Sequence, residues 1–256
     1  MKLIFIGTGS GKVEVDIFHA SYLIYNSEIK LLLDCGDSVS RALLNNKINI
    51  NSITHILISH NHPDHFMGLP NLINQMHLLN RKKDLTIFTH VNLVEATRYL
   101  LYMNYIFDEK LSFNLNVVAF EHETSLSIQD VLKVIPVRNN HIRNKYNVKS
   151  VNESYFVSSS FIIQSKTNSV LFTSDLMDER DLNLFEKYEV KYLFLESTHI
   201  DFTKLNGYRT IQDADKIFLT HYEKDKIKII QKQLKKLNPS IVSKMFFIRQ
   251  SEMLKF

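Results

Sequence analysis

The chain has 256 residues, 45% hydrophobic and 23% charged, ordinary for a globular protein and long enough to bury a substantial core as one large domain or two small ones. Its net charge of +4, from 31 Lys and Arg against 27 Asp and Glu, suits a phosphate-bearing ligand but is far from the balance of a dedicated nucleic-acid binder. The single Cys35 excludes an internal disulfide, no apolar run approaches the roughly eighteen residues of a membrane span, and the apolar stretch after Lys2 is too short for a signal-peptide core; a cytoplasmic protein is expected.

Lys2 to Ile6 reads as a strand running into Gly7-Thr8-Gly9-Ser10-Gly11. A phosphate cradle would need a helix next, but Val13-Glu14-Val15-Asp16 alternates like a strand, so a turn is expected. Tyr22 to Tyr25 and Ile29 to Leu33 flank Asn26-Ser27-Glu28 as a hairpin, with Asp34 at its end, and Ser38 to Lys47 reads as a helix. The run Ile56-Leu57-Ile58-Ser59 then ends in His60-Asn61-His62-Pro63-Asp64-His65. An extended chain puts His60 and His62 on one face, and a turn at Pro63 brings Asp64 and His65 round to the same mouth. Packing does not require such a cluster, whereas two neighbouring divalent ions would use it. A helix from Phe66 to Asn80 follows, with Leu69, Leu72, Ile73, Met76 and Leu79 as its core face, then a strand Leu85 to Thr89 and a helix Asn92 to Phe107.

From Leu115 the pattern turns to strands: Val117 to Phe120, Ser125 to Ile128, Val131 to Val137, Tyr155 to Gln164 and Ser169 to Thr173. A helix Glu179 to Lys187, strands Lys191 to Leu195 and Lys216 to Thr220, a cationic helix Glu223 to Lys236 and strands near Phe246 and Leu254 complete the chain. In the cationic helix Ile227, Ile229, Ile230 and Leu234 supply a core stripe, so Lys224, Lys226, Lys228, Lys232, Lys235 and Lys236 read as a solvated face rather than an RNA patch. No linker, repeat or low-complexity segment divides the chain. A single α/β domain over residues 1–256 is expected, two mixed sheets packed face to face with helices outside.

His141, Asp175 and His221 each lie just beyond a predicted strand, where rigid scaffolds place ligands. With His60, His62, Asp64 and His65 they make seven ligands for two metals. The order Asp34, His60-x-His62-x-Asp64-His65, His141, Asp175, His221 resembles the five motifs of the metallo-β-lactamase-fold hydrolases, a likeness spanning nearly the whole chain. Phe5-Ile6-Gly7-Thr8-Gly9, Asp34-Cys35-Gly36, Gly68-Leu69-Pro70 and Leu79-Asn80-Arg81 are most similar to the ribonuclease Z-like branch. The resemblance implies a four-layer αββα sandwich. It implies one Zn²⁺ on His60, His62 and His141, a second on Asp64, His65 and His221, Asp175 bridging them, and Asp34 orienting ligand side chains. Manganese or iron also suits those ligands. A hydroxide shared by the ions would attack phosphorus, Asp64 would accept its proton, and Glu196 in Leu195-Glu196-Ser197-Thr198 would support a histidine that protonates the leaving oxygen.

The chain departs from ribonuclease Z in two places. The later His-Ser-Thr segment has no match in Asp201 to Asp215, leaving His199 as the nearby histidine, and Ile142 to Ser174 has no room for the long arm that grips transfer RNA. Arg138, Arg143, Lys145 and Lys149 around His141 are candidate phosphate contacts. The expected activity is a binuclear-zinc phosphodiesterase acting on RNA or a smaller phosphodiester; homodimers are common among the resembling enzymes. The alternatives are a lactonase, β-lactamase or thioesterase on the same fold, or a non-catalytic metal-binding scaffold.

Overall fold

A computed structural model describes residues 1–142 and 152–255, so Arg143, Lys145 and Lys149 lie outside the described residues. The chain divides into two units, residues 1–121 with 249–256, and residues 122–248.

The first unit is built on seven strands: β1 (Lys2–Gly7), β2 (Ser21–Tyr25), β3 (Lys30–Leu33), β4 (His55–Leu57), β5 (Leu85–His90), β6 (Leu115–Phe120) and, from the end of the chain, β14 (Met253–Lys255). They lie in the order β14-β1-β2-β3-β4-β5-β6. Pairing is antiparallel from β14 to β3 and parallel from β3 to β6. Leu3 to Ile6 are buried on both faces, which explains why β1 reads as an unbroken apolar run. Helices α1 (Val39–Asn45), α2 (Pro63–Phe66), α3 (Leu69–Leu78) and α4 (Val94–Met103) accompany the sheet. Val39, Leu43, Leu69, Ile73 and Met76 join Ile4, Ile6 and Ile56 in one apolar cluster.

The single helix expected from Phe66 to Asn80 is two helices. Pro63 and Pro70 each occupy a first turn, where a missing N–H costs nothing; interrupted at Met67 and Gly68, the chain starts a second helix. Leu79, expected in the core face, lies past the helix end and is half exposed. The helix expected to reach Phe107 stops at Met103, and Tyr105 takes a left-handed backbone.

The second unit repeats the plan with β7 (Leu126–Ile128), β8 (Leu132–Arg138), β9 (Ser159–Gln164), β10 (Ser169–Phe172), β11 (Tyr192–Glu196), β12 (Lys216–Thr220) and β13 (Met245–Phe247). The order β13-β12-β11-β10-β9-β8-β7 is antiparallel from β7 to β10 and parallel from β10 to β13. Phe172, Phe194 and Phe218 stack across the adjacent parallel strands, with ring centroids 4.6 and 5.0 Å apart. Three short helices, α5 (Arg209–Asp213), α6 (Ile227–Leu234) and α7 (Pro239–Val242), belong to this unit. Residues Glu179–Phe185 form a 3₁₀ helix instead of the expected α-helix, with Asp178 capping its start. The strand expected from Tyr155 begins only at Ser159. In α6 only Ile230 of the expected core stripe is fully buried; Ile229 is exposed.

In each unit one strand, β3 or β10, marks the change from antiparallel to parallel pairing. Open sheets carry ligands beyond the carboxyl ends of their parallel strands; the turns after β4, β10 and β12 lie there, whereas His141 follows β8, which pairs antiparallel with both neighbours.

Candidate metal centre

In the first unit the turn after β3 and the turn after β4 hold each other. Cys35 N donates to His65 O at 2.7 Å, and Gly68 N donates to Cys35 O at 2.9 Å. The approach leaves no room for side chains: a Cβ on Gly36 would lie 2.2 Å from Asp64 O, and one on Gly68 would lie 2.1 Å from Gly36 O. Asp34, with φ at 57°, directs its carboxylate into the cluster. Its Oδ1 accepts from Ser59 N at 2.8 Å; its Oδ2 accepts from Ser59 Oγ at 2.8 Å and sits 2.7 Å from His65 Nδ1. Ser59 Oγ is also 2.9 Å from His60 Nδ1. Because that hydroxyl gives its hydrogen to Asp34, it accepts from His60 Nδ1–H. Both histidines therefore keep the proton on Nδ1 and present Nε2 as a lone-pair donor.

His62 behaves differently. Its Nδ1 lies 3.0 Å from His60 Nε2, an approach that two imidazole nitrogens tolerate when a proton or a cation sits between them. Ring centroids of His60 lie 4.7 Å from His62 and 4.3 Å from His65, and Asp64 Oδ2 is 3.5 Å from His65 Nε2. His60, Asp64 and His65 are buried and His62 half-buried. The glycine-rich segment after β1 has no helix behind it, as expected, but Val13 to Asp16, expected to alternate as a strand, form none: Val13 and Val15 are exposed and the segment is an irregular loop, beside Asp64, where a Cβ on Gly11 would lie 3.5 Å from Oδ2.

The second unit contributes His141 after β8, Asp175 after β10, Glu196 at the end of β11 and His221 directly after β12. Asp175 Oδ2 is 3.4 Å from His141 Nε2, and its Oδ1 is 3.2 Å from His221 Nε2, so one carboxylate is shared between two imidazoles. His141 Nδ1 meets Leu176 O at 3.1 Å. His221 Nδ1 meets Thr198 Oγ1 at 3.0 Å, and that hydroxyl donates to Glu196 Oε2 at 2.9 Å. The carboxylate–hydroxyl–imidazole relay of Asp34, Ser59 and His60 is thus repeated in Glu196, Thr198 and His221. Glu196 also accepts from His199 N at 3.1 Å and faces His199 Nδ1 at 3.1 Å. Burial pushes the Glu196 carboxyl up, but the hydrogen bond and charge of His199, joined by the charge of His221, hold the group below its ordinary value. Ser174 and His221 share with Asp34 a left-handed backbone, a conformation that costs about 1–3 kcal/mol in a non-glycine residue and clusters at functional sites.

Both units supply imidazole nitrogens with buried carboxylates beside them, a donor set that suits a borderline divalent ion.

The profile of the family described as Anti-Pycsar protein Apyc1 matches residues 1–248. The chain belongs to the Anti-Pycsar protein Apyc1 family. Ribonuclease Z of Saccharolobus islandicus is 40% identical over 87 residues, 34% of this chain and 30% of that protein; the chain thus matches about a third of the length of this curated relative. Among solved structures, human tRNase Z, short form, superposes with a TM-score of 0.70 at 18% identity, covering 100% of this chain and 99% of the other. The metallo-beta-lactamase fold protein YhfI of Bacillus subtilis superposes with a TM-score of 0.74 at 17% identity, covering 99% and 98%. The chain has the metallo-β-lactamase fold, as the motifs implied.

The family's chain here gathers His60, His62, Asp64 and His65 in one unit and His141, Asp175, Glu196 and His221 in the other, with His199 beside Glu196. Two supporting residues escape sequence reasoning. Ser59 looks like the last residue of an apolar strand. Asp181 looks like a helix-surface residue, yet it is buried, accepting from Asn140 N at 3.1 Å and Met177 N at 3.0 Å and so tying the His141 loop to the Asp175 loop. Cys35 is not a candidate nucleophile, since burial, then the charge of Asp34, pushes its thiol well above the ordinary range. Arg138 is exposed and donates to Phe156 O at 3.4 Å.

Proposed function

We propose that the protein is a metal-dependent phosphodiesterase with two zinc ions: His60, His62 and His141 hold one, Asp64, His65 and His221 the other, and Asp175 bridges them, the two units acting as one domain. The sharing of Asp175 between His141 and His221 is the observation that carries the reading, because a carboxylate with one oxygen toward each of two imidazoles is the arrangement of a bridging ligand. The names of the relatives, ribonuclease Z and tRNase Z, support phosphodiester substrates, RNA or smaller. Divalent ions bound there would supply Lewis acidity that makes water nucleophilic near neutral pH and offsets charge on the phosphoryl oxygens.

The chain's own residues manage the protons. As the water oxygen bonds to phosphorus, Asp64 takes its proton; as the bond to the leaving oxygen breaks, His199 donates a proton from Nε2. Glu196, facing His199 Nδ1, stabilises the protonated ring beforehand and holds its orientation, while its other oxygen anchors Thr198 and, through it, His221. His199 takes the place of the histidine that the ribonuclease Z pattern would supply from Asp201 to Asp215, and its partial exposure leaves it accessible to substrate.

The test is turnover of bis-(p-nitrophenyl) phosphate, a lactone and a β-lactam by zinc-loaded protein, with elemental analysis of the same preparation. Phosphodiester hydrolysis, lowered by about a thousandfold in His62→Ala, is expected. Hydrolysis of carbonyl substrates alone, or a preparation that retains no metal, would overturn the reading. Precursor transfer RNA with a 3′ trailer, offered in parallel, distinguishes RNA from a smaller substrate.

A further inference from the structure

The second unit carries a surface feature unconnected with the candidate ligands. Helix α6 and the start of α7 border a groove of about 690 Å³. Leu234, Leu237, Pro239 and Val242 contribute apolar walls, and Lys228, Lys232 and Lys235 stand along the rim. The spacing of 4 and 3 residues puts the three ammonium groups on one stripe of the helix. All three are exposed, and none forms an ion pair with another described residue. The core stripe expected for α6 is only partly used, since Ile230 alone is fully buried and Leu234 faces the groove.

We propose that this groove docks an acidic amphipathic helix of a partner protein. Charge complementarity selects the occupant. Three like charges at helical spacing beside a shallow apolar groove match a helix that carries carboxylates at i, i+4 and i+7 and leucine-like side chains on the adjoining face. Single-stranded nucleic acid would also meet the lysines, but it binds on aromatic platforms, and no aromatic side chain lines the groove among the described residues. An anionic membrane meets convex amphipathic faces rather than a recess between two helices.

The probe is a fluorescein-labelled peptide of about fourteen residues with glutamates and leucines in that pattern, set against one of the same composition with the pattern scrambled. Saturable binding of the patterned peptide is expected, weakened by salt and by about tenfold or more in the triple variant Lys228→Glu, Lys232→Glu, Lys235→Glu. Val242→Asp, which alters the wall and leaves the rim intact, is expected to weaken it as well, with phosphodiester turnover unchanged in both variants. Equal binding of the two peptides, binding indifferent to the triple variant, no saturable binding, or preferential binding of a labelled oligonucleotide or phosphatidylserine vesicles would each overturn the proposal.

Discussion

Ser59 illustrates how a residue with no chemistry of its own decides the chemistry of its neighbour. Its hydroxyl gives a hydrogen to Asp34 and takes one from His60, which leaves His60 Nε2 as the lone-pair donor. Ser59→Ala is expected to weaken metal affinity by about 10–100-fold in a chelator competition while the melting curve of the metal-free protein moves little; unchanged affinity would mean that His60 does not depend on the relay. Arg81 is a residue of another kind. It is almost fully buried, donates to the carbonyls of Asn51, Ile53, Lys83 and Asp84, and lies over the ring of Phe113. It closes the Leu79-Asn80-Arg81 segment, and its work is structural. Arg81→Ala strands buried carbonyls and should cost about 2–4 kcal/mol in urea unfolding, and Arg81→Lys should recover only part, because an ammonium cannot reproduce the planar fork.

At the level of elements, the two turns of the first unit form a single device. The Asp34–Gly36 turn and the His62–Gly68 turn interlock through backbone hydrogen bonds that two glycines permit. Gly36→Ala or Gly68→Ala is expected to lower stability by about 2–4 kcal/mol in thermal or urea denaturation, since the added Cβ would press on backbone oxygens that have nowhere to go. Gly207→Ala is the control: a Cβ there meets nothing within 4 Å, so the substitution should be neutral or slightly stabilising. The histidine motif and the helix after it were legible in the sequence, but the break at Gly68 was not, because periodicity alone continues smoothly from Phe66 to Asn80. Prolines at the first turns and a glycine pressed on Gly36 decided it.

For the whole molecule, the proposed ions join ligands from both units, so metal removal tests the assembly and not only the chemistry. A ligand present at a hundred times its Kd stabilises by about 2.7 kcal/mol, which for a chain of this size is roughly 5–10 °C in Tm. Exhaustive chelation should lower Tm by about that amount, and zinc should restore it; a Tm indifferent to chelator would count against ions shared between the units. No helix among the described residues is long and apolar enough to cross a membrane. The sequence by itself determined the donor types, their order along the chain and the alternation of strands and helices, because those depend on side-chain identity and local periodicity. Which imidazole nitrogen faces the site, which hydroxyl relays a carboxylate, why Arg81 and Asp181 are buried, and where Lys228, Lys232 and Lys235 find an apolar groove were decided only by tertiary structure. Those properties rest on pairs such as Asp34 with Ser59 and Thr198 with His221, 25 and 23 residues apart, which no local pattern brings together.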